Sequence, residues 1–351
     1  MTDELSVVEL GIAEVGVVRF LLSDEQRQFA ASLHDLLAAS DVPDVVRRWS
    51  DGDSAPGLAL WRRLAELGVT GLTVPESCGG LEAHPVDLVV AFEELGGHAV
   101  PGPLVESIAV VPALLAGHTS DRLSGIASGS VLATVAMAPR VPRALDADVA
   151  DVVLTVDHGV LCDARIDGPP LTSVDGARRL FTVTPTVGLG RCGPAAAGRA
   201  FDLGVLACSA QLLGAGRALV DMAAAHARQR VQFGRPIGAF QAVKHLLADA
   251  YVDVEMARPL LHGAAVGTGA GADTARRDVS AAKVACGAAA YRAARTALQV
   301  HGAIGYTAEH DVGLLLRKVR ALVSAWGTAS QHRGHVMAEL ARGRESTCTS
   351  R

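Results

Sequence analysis

The chain has 351 residues, half of them hydrophobic and only 4% aromatic, with a formal net charge of -5. That length is enough to bury a large core in two or three packed units. The mild acidity gives no reason to expect nucleic acid as a partner. No apolar run of about 18 residues occurs, so no membrane span is expected, and Met1–Glu9 has acids but no basic cluster, unlike a signal or transit peptide.

Residues 1–20 read as an N-terminal extension and 21–120 as a helical domain. Ser23 followed by Gln26 is a capping-box start, after which Phe29, Leu33, Leu36 and Leu37 fall on one helix face. A second helix, Leu58–Leu67, should stop at Gly68, a residue suited to the left-handed cap. The stretch Thr73-Val-Pro-Glu-Ser-Cys-Gly-Gly80 is dense in breakers and reads as a loop. Further helices are predicted over Pro85–Leu95 and Leu104–Leu115, the latter introduced by Pro101 and Pro103.

From 121 to 199 the texture changes to short β-branched runs, Val131–Val135, Val152–Val156 and Leu180–Val183, split by Pro, Gly and Asp. That is a reduced β domain. Residues 200–343 return to long Ala/Leu/Val helices, chiefly Leu206–Gln229 and Gln241–Met256, separated by Gly234, Pro236 and Gly238. Residues 344–351 form a polar tail expected to fray. The fold class is therefore mainly α with a small central β domain.

Several features are discounted. Six cysteines are scattered without a CxxC pair, which fits a reducing cytoplasm better than disulfides or a zinc site. His332 and His335 share a helix face but lack an evident third ligand, so a solvated helix is expected and no metal site is assigned. Gly188-Leu-Gly-Arg-Cys-Gly193 formally matches GxGxxG. Pro185 before it and Pro194 after it leave no strand–helix unit, so it reads as a loop into the next helix.

Two long motifs carry a resemblance. Arg230-Val-Gln-Phe-Gly-Arg-Pro-Ile-Gly-Ala-Phe-Gln241 is similar to R-x-x-F-G-x-x-(I/L)-x-x-x-Q, and Gln299-Val-His-Gly-Ala-Ile-Gly-Tyr-Thr-Ala-Glu309 to Q-x-x-G-G-x-G-Y-T-x-E. Both belong to the acyl-CoA dehydrogenase family. Weaker echoes are Trp61 with Leu64–Gly68, Val74–Glu76, Gly79–Gly80 and Glu94–Gly96. The resemblance spans roughly 320 residues in matching order. It implies an N-terminal helical domain, a β-barrel-like middle domain and a C-terminal four-helix bundle, with FAD lying across a subunit boundary.

By the same resemblance Arg230 meets the FAD pyrophosphate, where a guanidinium–phosphate bond makes chemical sense. Phe233 packs nearby, Gln241 hydrogen-bonds, Gln299 and Gly302 cradle the adenine end, and Thr328 joins the cofactor set. Ala303 replaces the second Gly of the motif. The macrodipole would by itself favour an arginine at a helix C-terminus, but it does not explain the company of Phe233 and Gln241.

The family removes an α-proton from an acyl-CoA thioester while hydride passes to flavin, and this needs a carboxylate base. Most members carry that base in a Y-E-G-T-like segment; here the segment is Ala325-Trp-Gly-Thr328. Others carry it as Glu-Arg after Leu-Asp-Leu; here the stretch is Phe201-Asp-Leu-Gly-Val205, with Gly204 at the Glu position. No catalytic residue is therefore assigned. Trp326 is expected to fill the vacated acyl pocket. Asp202 and Glu255 are candidate relocated bases, though Asp202 also reads as a helix N-cap. The middle zone has no Gly-Ser-Asp loop or tryptophan strand for the flavin ring.

The resemblance implies one half of an α2β2 heterotetrameric flavoprotein oxidoreductase of lipid metabolism, inactive alone, that gives ADP-side FAD contacts to a full-length partner. The acyl-CoA would sit in the partner's site, with a sterol-derived ester one possibility and electron-transfer flavoprotein as acceptor. Two other classes stay open: a superfamily flavoenzyme of monooxygenase type that needs no glutamate, and a flavin-free scaffold.

Overall fold

The computed structural model describes residues 21–117, 120–307 and 309–348, so the expected extension at 1–20 and the last three residues of the expected tail lie outside it. Helix α1 (Asp24–Ala38) opens with the reciprocal capping box: Gln26 N–H donates to Ser23 Oγ at 3.2 Å, and Ser23 N–H donates to Gln26 Oε1 at 3.0 Å. Leu33 and Leu37 form its buried stripe. Helices α2 (Val42–Ser50) and α3 (Ala55–Glu66) follow, and Gly68 at φ 78° turns the chain after α3. Helix α4 (Pro85–Gly97) is almost wholly buried along one side.

The segment predicted as one helix over 104–115 is a π-helical stretch, Val105–Val110, continuing into α5 (Val111–Leu115). Pro112 has no N–H to offer Ile108 four residues earlier, and the Thr73 hydroxyl donates to that carbonyl instead. Helix α6 (Ser120–Ala127) then leads to the sheet.

Strands β1 (Ala133–Ala136), β2 (Ala144–Leu145), β3 (Val152–Asp157), β4 (Val160–Ile166), β5 (Leu180–Phe181) and β6 (Val183–Arg191) make a four-stranded sheet of order β1-β3-β4-β6, with β2 and β5 paired apart. β1 runs parallel to β3, and the other neighbours are antiparallel. The GxGxxG stretch is corrected by this arrangement: through Arg191 it is edge strand rather than loop. An edge position tolerates Pro185, which cannot donate to a second neighbour, and register shifts around Cys162 absorb the glycines opposite.

Helix α7 (Pro194–Gln229) starts earlier than the predicted 200, with proline in its first turn. A hairpin of β7 (Val231–Gln232) and β8 (Arg235–Pro236) separates it from α8 (Gln241–Gly269), followed by α9 (Ala275–His301), α10 (Val312–Leu322) and α11 (Ala329–Cys348). α11 thus runs on past residue 344, where a frayed tail was expected. An 18-residue window of α7 has mean hydropathy 1.5, enough by composition for a membrane span, yet 83% of it is buried inside the protein. Those residues pack against other helices. Gly96 on α4 and Gly214 on α7 let the two backbones touch: a Cβ at Gly214 would stand 1.8 Å from Glu93 O.

Buried charges tie the layers together. Glu93 on α4 accepts from Arg258 Nη1 at 2.6 Å and lies 3.0 Å from His262 Nε2, both on α8. Lys318 Nζ on α10 donates to Val100 O at 2.6 Å, and burial lowers its pKa to about 8.

Candidate functional site

The two positions where the resemblance leads one to expect a base, 204 and 326, meet in space. Trp326 sits in the short turn between α10 and α11 at φ 57°, a conformation unusual for a bulky residue. Its carbonyl accepts from His332 Nε2 at 2.9 Å, and His332 Nδ1 faces Ser280 Oγ at 3.2 Å. His332 is only 1% exposed, and burial pushes its pKa down to about 4, so the ring is neutral with its proton on Nε2. The solvated helix expected around His332 is corrected: that histidine is an internal brace. His335 meets it edge-on at 5.7 Å.

The indole is 4% exposed and lies against α7, with its centroid 5.9 Å from that of Phe201. A Cβ on Gly204 would come within 2.6 Å of Trp326 Cε3 and 2.9 Å of Val110 Cγ2. Gly204 therefore cannot regain a side chain of glutamate size while Trp326 and Val110 keep their places. Val205, at the family's Arg position, is fully buried.

Beside the indole remains a cavity of about 450 Å³ lined by Glu106, Arg140, Arg143, Arg178, Arg320 and Trp326 among others. Glu106 is the acid that sequence reading missed. It is 3% exposed, its Oε2 has no hydrogen-bond partner among the described residues, and burial pushes its pKa up against the opposing pull of Arg178. Burial thus favours the neutral form, a hydrogen-bond donor and a poor base. A lone acid within the mostly apolar Leu104–Leu115 run was the available signal.

The two candidate relocated bases do not line this cavity. Asp202 lies inside α7, so the N-cap reading is corrected: the helix begins at Pro194. Burial raises its pKa to about 6, with Arg276 and Arg140 opposing the rise. Glu255, on α8, pairs with Arg258 at 3.5 Å.

The predicted cofactor residues occupy the other end of the bundle, except Thr328. Arg230 caps α7, its side chain exposed and without an ion-pair partner among the described residues. Phe233, at φ 54° in the hairpin turn, is 92% exposed and meets Phe240 edge-on at 6.1 Å. Gln241 begins α8 and is exposed. Gln299 and Gly302 line a groove of about 940 Å³ with Arg295, Thr296 and Tyr306. Gly302 stands at φ 64°, and nothing lies within 4 Å of where a Cβ would be.

Arg230 and Phe233 do not line that groove, but the two motifs are joined through His226 and the buried His301, whose rings stack at 4.4 Å. Thr328 lies beside Trp326 and caps α11: Gln331 N–H donates to its Oγ1 at 3.3 Å, and its own N–H donates to Gln331 Oε1 at 2.8 Å.

Guanidinium, amide, hydroxyl and phenol groups in and around an open groove suit a nucleotide with phosphates. Known proteins place this arrangement. Residues 23–122 match the acyl-CoA dehydrogenase N-terminal domain and residues 192–341 the C-terminal domain. The chain is 31% identical over 324 residues to acyl-CoA dehydrogenase IpdE2 of Mycolicibacterium smegmatis, covering 91% of this chain and 100% of that one. Among solved structures it superposes on the Tcur3481-Tcur3483 steroid ACAD G363A variant with TM-score 0.82 and 23% identity, covering 92% of this chain and 99% of that one. With the ChsE4-ChsE5 complex from Mycobacterium tuberculosis the TM-score is 0.79 at 24% identity, over 92% of this chain and 98% of that one. The motifs, the fold and this similarity agree: the chain belongs to the acyl-CoA dehydrogenase family.

Proposed function

We propose that this chain is the base-lacking subunit of a heteromeric, FAD-dependent acyl-CoA dehydrogenase, lending ADP-side contacts to a flavin whose ring sits in a full-length partner. One observation carries the reading. The expected base positions are filled by Trp326 packed against Gly204, while Arg230, Phe233 and Gln299 stand exposed, and among the described residues no side-chain hydrogen bond or ion pair engages Arg230 or Gln299. The relatives named above are consistent with this, since one is a steroid ACAD and one is a two-protein complex.

FAD, when bound, supplies the hydride acceptor for α,β-desaturation. Arg230 would neutralise pyrophosphate charge by a guanidinium–phosphate bond. Gln299 and Thr296 offer directional hydrogen bonds, Tyr306 an aromatic face for a base, and Gly302 close backbone approach. The α-proton is then the business of the partner's carboxylate, because Glu106 is held towards its neutral form and no other carboxylate lines the Trp326 cavity. An α2β2 assembly with two FAD, an acyl-CoA in the partner's site, a sterol-derived ester among the substrates to try, and electron-transfer flavoprotein as acceptor complete the proposal.

Flavin stoichiometry tests it. The chain purified alone should hold little FAD and turn over no acyl-CoA, whereas co-purified with a full-length homologue it should give about one FAD per pair of chains. Tight FAD with turnover in the solo preparation would overturn the reading.

A further inference from the structure

Away from both ends of the bundle, α1 and α4 bring together three groups that the flavin chemistry does not use. His34 Nδ1 lies 3.0 Å from Glu94 Oε2 and 3.2 Å from His98 Nε2, and the three ligand atoms all fall within 4.8 Å of one another. The two imidazoles meet edge to face, 4.9 Å between centroids at 63°. Glu94 lies in the last turn of α4 and His98, four residues on, caps that helix, while His34 reaches across from α1.

Hydrogen bonding by itself leaves this cluster short of protons. An imidazole nitrogen has one in-plane site, which either carries a proton or accepts one. If His34 Nδ1–H donates to Glu94, it cannot also accept from His98, and His98 Nε2 is left presenting a lone pair to a hydrogen already shared. If His98 donates to His34, the Glu94 carboxylate faces a second lone pair at hydrogen-bond distance. Three electron-rich atoms thus converge on too few hydrogens.

A cation satisfies all three at once. With metal–nitrogen and metal–oxygen distances of about 2.0–2.2 Å, tetrahedral ligands stand about 3.3–3.6 Å apart. The two short separations are already near that edge length, and rotation of the Glu94 carboxylate closes the third. A cavity of about 320 Å³ adjoins the cluster, lined also by Asp221, so a fourth position is open to water or to that carboxylate. We infer that His34, Glu94 and His98 form a binding site for a divalent transition cation of the zinc class, fastening α1 to α4. Two neutral nitrogens with one carboxylate favour such an ion over calcium or magnesium, which prefer all-oxygen shells.

The full-length chain, stripped with EDTA and dialysed, is titrated with Co²⁺ and then with Zn²⁺ as competitor. The expected result is one Co²⁺ per chain with the intense visible absorption of a tetrahedral site, displaced by one Zn²⁺, and a higher Tm with Zn²⁺ than with EDTA. H34Q and H98Q should each weaken binding by more than about 100-fold, beyond the 10–100-fold typical of losing an outer-shell partner. His34 is more than half exposed, so H34Q keeps the fold, which far-UV circular dichroism checks; E94Q serves if H98Q does not fold. H158N, at a histidine with a 95% exposed side chain, should bind like the natural chain. No stoichiometric Co²⁺ or Zn²⁺ binding, or binding unchanged in H34Q and its folded companion variant, overturns the site.

Discussion

The two ends of the C-terminal bundle have been treated in opposite ways. Around Trp326 the groups at issue are buried: the indole lies on Gly204, His332 braces the turn, and Glu106 has an oxygen without a hydrogen-bond partner among the described residues. Around Arg230 the groups are outside, with a guanidinium, a phenyl ring and an amide facing solvent and the groove beside Gln299 open. The exposed Phe233 belongs to the surface that the proposed function gives to a partner chain. The contrast separates the two ways a family feature can vanish or persist. On the proposed reading the space of the base has been rebuilt as core by Trp326 packed on Gly204. The cofactor-side residues were left unspent.

The sharpest way to break this contrast is at Gly204. Glutamate there collides with Trp326 and buries a charge, so G204E should lose more than about 4 kcal/mol in urea unfolding. In the G204E/W326A double variant the two effects should be non-additive by about 0.5–3 kcal/mol. If G204E unfolds at the same urea concentration as the natural chain, the rebuilt-core argument is wrong. Next in size, W326E should cost about 3–5 kcal/mol, as other large-to-small aromatic changes do, and should gain no desaturation activity in the chain alone. Recovered turnover would show that the flavin ring site is intact after all.

At the open end the expected effects move from stability to ligand retention. R230A should shift stability by less than about 0.5 kcal/mol, yet weaken FAD binding by the mixed complex by roughly 10–100-fold, the value of a charge-assisted hydrogen bond of about 1.5–3 kcal/mol. Equal FAD affinity in both complexes would assign Arg230 to the helix dipole alone. A further effect is in pH. His332 has a folded pKa of about 4 against 6.5 unfolded, so the unfolded chain takes up the proton first. Its stability contribution is full above pH 6.5 and drains away as pH falls towards 4. Thermal unfolding of H332Q should show a shallower pH slope in that window, and an unchanged slope would remove His332 from the account.

Periodic and capping signals made much of the helical fold readable before any coordinates. The Ser23–Gln26 box and the Leu33/Leu37 stripe appear as expected because both are local, set within a few residues. Strands β4 and β6 were missed because β6 carries Pro185, Gly188 and Gly190, and only its edge position and the register shifts make that sequence a strand. The π-helical turn before Pro112 likewise depends on the distant Thr73 hydroxyl.

The sequence by itself determined the family, a statement about residue types at fixed spacing from Arg230 to Gln241 and from Gln299 to Glu309, and it put tryptophan and glycine at the positions where the resemblance leads one to expect a carboxylate. Only the tertiary structure decided that Gly204 and Trp326 are one packing unit, that His332 is a buried brace, that Glu106 faces the same cavity, and that His34 converges on Glu94 and His98. Each of these joins residues dozens of positions or more apart, with one exception: the nearby His332 owes its role to burial. Neither long-range contact nor burial has a periodicity to read. Both are fixed by how α7, α9 and their neighbours stack once the backbones are close enough for a single Cβ to matter.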